Sequence, residues 1–275
     1  MDKAGSEQSI IALEGWLQTP AGVYVRAWEQ TCLDNLTADI FGFNAVQIGM
    51  PQIDALSANR MPYKWLADRK VRAPLAPTPV AVAPAQGAAV IELPQAPPPR
   101  PVALTLDYTE LPFASQSMDL VVLPHVLEFS ADPHQVLREV ERVLIPEGQV
   151  IICGFNPASL WGARHVMRRV GGTSFLPRTE ELITMPRMKD WLKLLNMSAS
   201  QSHFGCYAPA CRTEKWLNRY AFMDTAGPRW WPVFGGVYIV QAIKRVKGMH
   251  LIGPAWTKKS ASTQVVVPAT NKRRE

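Results

Sequence analysis

Three polar side chains near the middle of the chain have the types and spacing for chemistry. His125 is a candidate catalytic residue, because a histidine titrates near neutral pH and can act as a general base. Glu128 lies three residues further on and is a candidate for the same role. Asp107 offers a carboxylate as a hydrogen-bond acceptor, and Tyr108 beside it offers an aromatic surface.

These residues follow short apolar segments that the sequence predicts to be strands. Residues 101–106 end at Asp107, and residues 117–123 end just before Pro124. An amphipathic helix is predicted over residues 133–144, since Asp132 is a good N-cap residue and proline suits the first helical position. Strands and helices alternate in this region, which predicts a mostly parallel sheet with helices on both faces. Two late strands, at residues 200–207 and 236–242, suit a closing antiparallel pair.

A block of motifs within residues 107–157 resembles the class I S-adenosylmethionine-dependent methyltransferases, in the branch called type 11. The flanking residues are more similar to a poorly characterised bacterial subgroup of this superfamily. The motifs that carry the resemblance are Asp107, Leu111-Pro112-Phe113, Ser117–Val122, His125-Val126-Leu127-Glu128, Asp132-Pro133, Leu137–Leu144 and Pro146-Glu147-Gly148.

The resemblance implies a doubly wound, mostly parallel sheet of the Rossmann-like methyltransferase type with a C-terminal antiparallel hairpin. It also implies a donor, S-adenosylmethionine, bound at the carboxyl ends of the first strands, where open α/β sheets generally bind ligands. Asp107 and Tyr108 are then expected beside the adenine, and Leu123 and Pro124 in the wall of the donor pocket. The methyl acceptor, a small molecule or another molecule, is not identified by the sequence.

The glycine-rich donor loop of the family corresponds here to residues 47–52. Gly49 stands at the first glycine position, but Gln47 replaces the family's acid and the second glycine is absent. A glutamine can hydrogen-bond the donor but cannot neutralise its ammonium group. For the acid that holds the ribose, the candidates are Asp68 and Glu92, with Glu92 slightly favoured. Two functions therefore stay open: a methyltransferase, or a methyltransferase-fold protein that has lost the donor and acts as a binding or scaffolding module.

The chain divides into three predicted parts: an N-terminal helical segment at residues 1–40, a methyltransferase-like domain at residues 41–250, and a basic tail at residues 251–275 that we expect to be disordered. Nine prolines in residues 74–101 indicate a semi-extended insertion in the domain. The tail contributes much of the net charge of +6. A basic helix at residues 160–169 adds a third, weaker alternative, which is nucleic-acid binding.

Other features limit the class of protein. The four cysteines show neither metal-ligand spacing nor a disulfide framework, so no metal is expected. We found neither a signal peptide nor an apolar run that could span a membrane, so the cytoplasm is the expected location. The segment Trp230-Trp231-Pro232 is expected to fill the hairpin with apolar side chains. The sequence does not predict the oligomeric state.

Overall fold

The computed structural model describes residues 12–69, 102–167, 175–177 and 182–245. Residues 12–17 are helical, and the bounds of the other elements follow. The helices are α1 (Pro20–Ala38), α2 (Pro133–Val143), α3 (Leu160–Met167), α4 (Met185–Leu194), α5 (Glu214–Arg219) and α6 (Phe222–Trp230). The strands are β1 (Asn44–Ile48), β2 (Tyr63–Asp68), β3 (Leu104–Thr105), β4 (Met118–Pro124), β5 (Leu144–Phe155), β6 (Met197–Gly205) and β7 (Val237–Lys244).

In the described residues the strands form one seven-stranded sheet in the order β3-β2-β1-β4-β5-β7-β6. The pairs from β3 to β5 are parallel, and β7 is antiparallel to both β5 and β6. This arrangement confirms the predicted doubly wound, mostly parallel sheet with an antiparallel pair at its end. The strand order changes direction at β1, because β2 and β3 are added on one side of it and β4 and β5 on the other. A topological switch point therefore lies at the carboxyl ends of β1 and β4.

Buried side chains cover both faces of the sheet in two apolar clusters. One cluster includes α2 and α4, and the other includes α1, residues 12–17 and the start of α3. Helix α2 begins as predicted, because the Asp132 carboxylate accepts a hydrogen bond from the Gln135 amide and Pro133 takes the first helical position.

The N-terminal helical region consists of two pieces. The break between them falls at Gln18 and Thr19, and Pro20 starts α1. The reason is local: the Thr19 side chain accepts a hydrogen bond from the Gly22 amide, and proline tolerates the first helical turn.

The Pro-rich insertion at residues 74–101, Glu92 and the basic tail lie outside the described residues, so their predictions stay untested. No helix in the described part of the chain is long and apolar enough to cross a membrane.

Candidate functional site

The carboxyl ends of β1, β2 and β4 bring most of the predicted site residues to one edge of the sheet. Gly49, Tyr108, Pro124 and His125 line one cavity there. Asp68, the last residue of β2, lines it as well. Gln47 and Leu123 are buried one or two residues before this edge, in β1 and β4. Asp107 lies beside the cavity, in the turn that follows β3.

This cavity is small, with a volume of about 20 Å³. Pockets for ligands of drug size measure about 300–1,000 Å³. Its walls include apolar side chains that occupy the edge of the sheet: Leu13, Met50, Val126 and Phe129. In the conformation described, the residues present therefore do not accommodate S-adenosylmethionine.

Gln47 organises the loop that follows β1. Its Nε2 lies 3.1 Å from the Gly49 carbonyl, 3.0 Å from that of Met50 and 2.7 Å from that of Ile53. Its Oε1 accepts a hydrogen bond from the Ala55 amide at 2.9 Å. The side-chain amide is thus fully used inside the protein, and a carboxylate could not make the same contacts because it has no N–H to donate.

The loop also adopts a backbone that departs from ordinary helical or extended geometry. Gly49 and Met50 have φ angles of 76° and 52°. Glycine adopts such angles readily, whereas methionine does so only where its surroundings stabilise them. Met50 is buried and packs in the same apolar cluster as the N-terminal helical residues. The loop is therefore closed by internal contacts.

Tyr108 lies in the region where the resemblance places the adenine and ribose. Its hydroxyl donates a hydrogen bond to Asp68 at 2.6 Å. It also lies close to the space above Gly49, since a Cβ built on Gly49 would be 3.2 Å from the Tyr108 hydroxyl oxygen. Burial, followed by the neighbouring Asp68 charge, raises the pKa of Tyr108 well above its usual value. Tyr108 is a neutral donor held against a carboxylate.

Asp107 stabilises its own turn. Its Oδ1 accepts hydrogen bonds from the Thr109 amide at 3.1 Å and the Thr109 hydroxyl at 2.9 Å. Arg69 lies 4.0 Å from the same oxygen and stacks over the Tyr108 ring at 4.6 Å. Asp68 is the acid that ends β2, so the slight preference for Glu92 as the ribose ligand has no support in the described residues.

His125 lies between two carboxyl groups in a fully buried position. Its Nε2 is 2.7 Å from Glu29 Oε1, and its Nδ1 is 2.9 Å from Glu128 Oε2. Glu128 also accepts a hydrogen bond from the Phe155 amide at 2.6 Å. We call Glu29, His125 and Glu128 the buried triad. It connects α1, the turn after β4 and the end of β5.

The surroundings of His125 favour its charged form, as the direction of its pKa shift indicates. Burial alone lowers the pKa of His125, but the Glu29 charge and the hydrogen bonds to both carboxylates outweigh it and raise the pKa to about 10. Burial raises the pKa of Glu128, and its contacts with His125 partly offset that rise. At neutral pH His125 is therefore an imidazolium whose two N–H groups are both donated. This arrangement leaves no free nitrogen to accept a proton, so the predicted role as general base is not supported by the geometry.

Glu29 was missed by the sequence reasoning. A signal was available, because Val25, Glu29 and Leu33 share one helical face and the two neighbours are fully buried apolar residues. A carboxylate on such a face needs a buried partner. The partner is 96 residues away in the chain, so helical periodicity could not identify it.

Two side chains of the predicted nucleic-acid surface on α3 make contacts inside the protein. The Trp161 ring is buried and donates to the Ala208 carbonyl at 2.7 Å. Arg164 donates to the Ala210 carbonyl at 2.7 Å, and its guanidinium lies over the Phe175 ring. These two side chains are used inside the protein. Residues 168 and 169 lie outside the described part.

The segment Trp230-Trp231-Pro232, at the end of α6, also differs from its prediction. Trp230 and Trp231 are 73% and 39% exposed, so they do not fill the hairpin and that prediction is wrong. Asn156 contacts this segment instead, donating from Nδ2 to the Val233 carbonyl at 2.7 Å and to the Gly235 carbonyl at 2.9 Å. The segment is therefore attached to the end of β5 while its tryptophans face solvent.

A second cavity, of about 410 Å³, lies between α1, the carboxyl end of β6 and residues 228–232. Its volume is in the range of small-ligand sites. Its walls come from other residues than those predicted for the donor site: Trp28, Thr31, Cys32, Asn35, Ser202, His203, Phe204, Tyr207, Pro228 and Pro232. Among the described residues, no group of three histidine, cysteine or acidic side chains is placed to hold a metal ion.

The proteins that this chain is similar to include methyltransferases with a similar fold. A family model described as a methyltransferase domain matches residues 77–152. This match and the fold confirm the resemblance to class I S-adenosylmethionine-dependent methyltransferases of type 11. A solved structure, the putative methyltransferase in a complex with the Haloferax volcanii Trm112 methyltransferase activator, has a TM-score of 0.52 at 14% identity, covering 86% of this chain and 98% of that one. At this identity the structural likeness concerns the fold.

Two sequence relatives match over shorter stretches. The uncharacterized protein YafS of Escherichia coli K12 is 42% identical over 106 residues, which are 38% of this chain and 43% of the relative. The malonyl-[acyl-carrier protein] O-methyltransferase of Halorhodospira halophila is 35% identical over 72 residues, which are 26% of this chain and 24% of that enzyme. The chain thus matches less than half the length of either relative.

The buried triad predicts a pH-dependent contribution to stability. Replacing Glu29→Gln removes one of the two carboxyl partners of His125 and leaves Glu128 as the other. The expected cost is about 1.5–3 kcal/mol of unfolding free energy near neutral pH, the contribution of a hydrogen bond to a charged group. The folded pKa of His125, about 10, exceeds its ordinary value of 6.5, so the contribution is fully present below 6.5 and is lost as pH rises through 10. Urea denaturation at the two ends of this window should show the difference between wild type and variant shrinking at high pH.

The control for this experiment is Glu147→Gln. Glu147 pairs with Arg245 at an exposed site, where an ion pair contributes about 1 kcal/mol or less. Its effect should be small at both ends of the window. An equal loss for Glu29→Gln at both pH values would contradict the charged state of His125.

Gln47 gives a second prediction. Gln47→Glu keeps the shape but removes the N–H donors and places a carboxylate against three carbonyl oxygens. We expect a loss of about 3 kcal/mol or more, since unsatisfied buried groups cost about 1–3 kcal/mol and charged ones more. The measurement is the urea midpoint, with Gln201→Glu at an exposed position of β6 as the matched control. A variant as stable as the control would show that the loop does not depend on the amide.

Proposed function

We propose that this protein is an S-adenosylmethionine-dependent methyltransferase that acts on an acceptor still to be identified. The observation that carries the proposal is the coincidence of the matched methyltransferase block with the class I sheet order. The support for the site is that Asp68, the turn with Asp107 and the turn after β4 lie at the carboxyl ends of parallel strands, where open α/β sheets generally bind ligands.

The residues available for the donor are those at the carboxyl ends of β1, β2 and β4. Asp68 ends β2 and offers a carboxylate to the ribose hydroxyls. Asp107 and Tyr108 are the residues proposed beside the adenine, and Leu123 and Pro124 are those proposed for the wall of the donor pocket. Gln47 and Gly49 supply the loop, with the Gln47 amide already bonded inside it. The bound donor would supply an activated methyl group, and transfer needs above all that the acceptor be held in line with it.

For this function the donor site must open. Leu13 and Glu14, from the N-terminal helical residues, line the 20 Å³ cavity together with Met50 and Tyr108. Of these, Leu13 and Glu14 belong to a segment outside the sheet, so their displacement opens the edge without breaking a strand. Binding of the donor would then be weakened by the free energy needed to move them.

The second candidate function is a donor-less binding or scaffolding protein with the methyltransferase fold. It is favoured by one specific observation, which is that the Gln47 amide and both ring nitrogens of His125 are hydrogen-bonded inside the protein without a ligand. The cavity left at this edge holds about one water molecule by volume. A protein of this kind would have no affinity for the donor in any conformation.

Calorimetric titration of S-adenosylmethionine and S-adenosylhomocysteine into the protein separates the two candidates. We expect micromolar binding for the methyltransferase. Asp107→Ala should weaken it by about 1–3 kcal/mol, the cost of losing a hydrogen-bond partner of the donor. Asp190→Ala, at an exposed position of α4, is the matched control. Absence of heat and of a thermal shift at millimolar donor would favour the donor-less function.

Opening of the site can be tested with Leu13→Ala. This residue is 1% exposed, and removing its side chain weakens the packing of the N-terminal helical residues by about 2–5 kcal/mol. If the donor binds only after these residues move, the variant should bind S-adenosylmethionine more tightly than wild type, because the competent state is more populated. Leu137→Ala in α2 controls for a general loss of stability. Weaker binding in Leu13→Ala than in Leu137→Ala would show that Leu13 supports the donor site rather than closing it.

A further inference from the structure

Helix α6 packs on the protein by one face only. Gly227 lies against the Tyr207 ring, where a Cβ would come within 2.3 Å of the ring. Asp224 accepts a hydrogen bond from the Tyr24 hydroxyl at 2.6 Å and another from the Tyr207 amide at 2.9 Å. These contacts define the inner face of α6 and leave its other side to solvent.

The outer face of α6 carries aromatic side chains in place of the polar ones usual for a surface helix. Phe222 and Trp230 are eight residues apart, so they lie on the same side of the helix. They are 64% and 73% exposed. Trp216 in α5 and the turn after α6 add further exposed apolar side chains. We call this set the aromatic face; its members are Trp216, Phe222, Trp230, Trp231, Val233 and Phe234, all at least 39% exposed.

Cations accompany the aromatic face. Lys215, Arg219 and Arg229 are exposed on the same two helices. The Arg219 guanidinium lies over the Trp216 ring at 5.6 Å. Glu214 is the exposed carboxylate of this segment, and Asp224 is used by its contacts with Tyr24 and Tyr207. The face therefore has a positive charge among its large apolar side chains.

We propose that the aromatic face docks on the surface of an anionic phospholipid bilayer. Helices that lie in a membrane interface combine tryptophan and phenylalanine with lysine and arginine, because the rings enter the boundary of the hydrocarbon while the cations meet anionic headgroups. Tryptophan is enriched at this depth, since its ring has an apolar body and one polar N–H. The aromatic face has this composition on one side of α6.

Two other partners fit the face less well. A second copy meeting it through a two-fold axis would bring the same cations together, and like charges oppose such a contact. Nucleic-acid sites draw most of their affinity from cations on phosphates. Here the aromatic face has six large apolar side chains, and three exposed cations lie beside it. This ratio favours a surface with an apolar layer beneath its charges.

The test is co-sedimentation of the full chain with vesicles of phosphatidylcholine alone or mixed with phosphatidylglycerol. We expect binding to the mixed vesicles, weaker binding to phosphatidylcholine, and a decrease with added salt. The variant Trp230→Ser/Phe234→Ser should lose binding by about tenfold or more, because it removes two apolar anchors. Both side chains are exposed, so circular dichroism and the urea midpoint should match wild type.

The matched control is Phe41→Ser/Leu194→Ser, which removes two side chains that are 74% and 80% exposed outside the aromatic face. It should bind vesicles as wild type does. The proposal is overturned if wild type does not bind the mixed vesicles or if the control loses binding equally. It is also overturned if the Trp230→Ser/Phe234→Ser variant abolishes instead a concentration-dependent dimer or binding to a single-stranded oligonucleotide, measured by light scattering and fluorescence anisotropy.

Discussion

The hydrogen-bonded charges of the buried triad are the interaction on which the carboxyl edge of the sheet depends. An imidazolium between two carboxyl groups is expensive to place in an apolar interior, and removing His125 would leave two buried carboxyl groups facing each other without a positive partner. Glu29 lies in α1, while His125 and Glu128 follow β4. Glu128 also accepts a hydrogen bond from the Phe155 amide at the end of β5, so the triad connects three elements. His125 also has a φ of 53°, a backbone angle that non-glycine residues adopt only where the fold stabilises it. The triad thus fixes the turn after β4 and holds α1 over it.

In the Gln47 loop, buried polar groups are hydrogen-bonded to a neutral side chain rather than to charged ones. A side-chain amide both donates and accepts, so it can satisfy several backbone groups of a closed loop without importing charge. In the family that this chain resembles, the position is acidic and its charge faces the donor. Here the amide faces its own loop, and the loop needs no ligand to satisfy its polar groups. Any ligand at this edge must therefore replace internal contacts that are already made. The free energy needed to break those contacts lowers the ligand's apparent affinity.

Much of the fold could be predicted from local sequence, but the closure of the site could not. The Asp132 N-cap, the apolar spacing of α2 and the strands on either side are short-range patterns, and each was found where expected. Tyr108 and Asp107 were placed at the correct edge by the motif around them. The Glu29–His125 contact depends on two residues 96 positions apart, and no local pattern connects them. The exposure of Trp230 was misjudged for a similar reason, since its burial depends on whether Gly227 or the tryptophan faces Tyr207.

Helix α1 connects the candidate donor site with the aromatic face. Glu29 joins it to the candidate donor site, and Tyr24, five residues earlier, joins it to α6 through Asp224. The Gly205 backbone approaches α1 so closely that a Cβ there would lie 1.9 Å from the Trp28 ring. Helix α1 therefore contacts the end of β6, α6 and the turn after β4 through directional or tightly packed groups. The closed edge of the sheet and the exposed aromatic face are therefore both attached to one helix rather than lying independently on the fold.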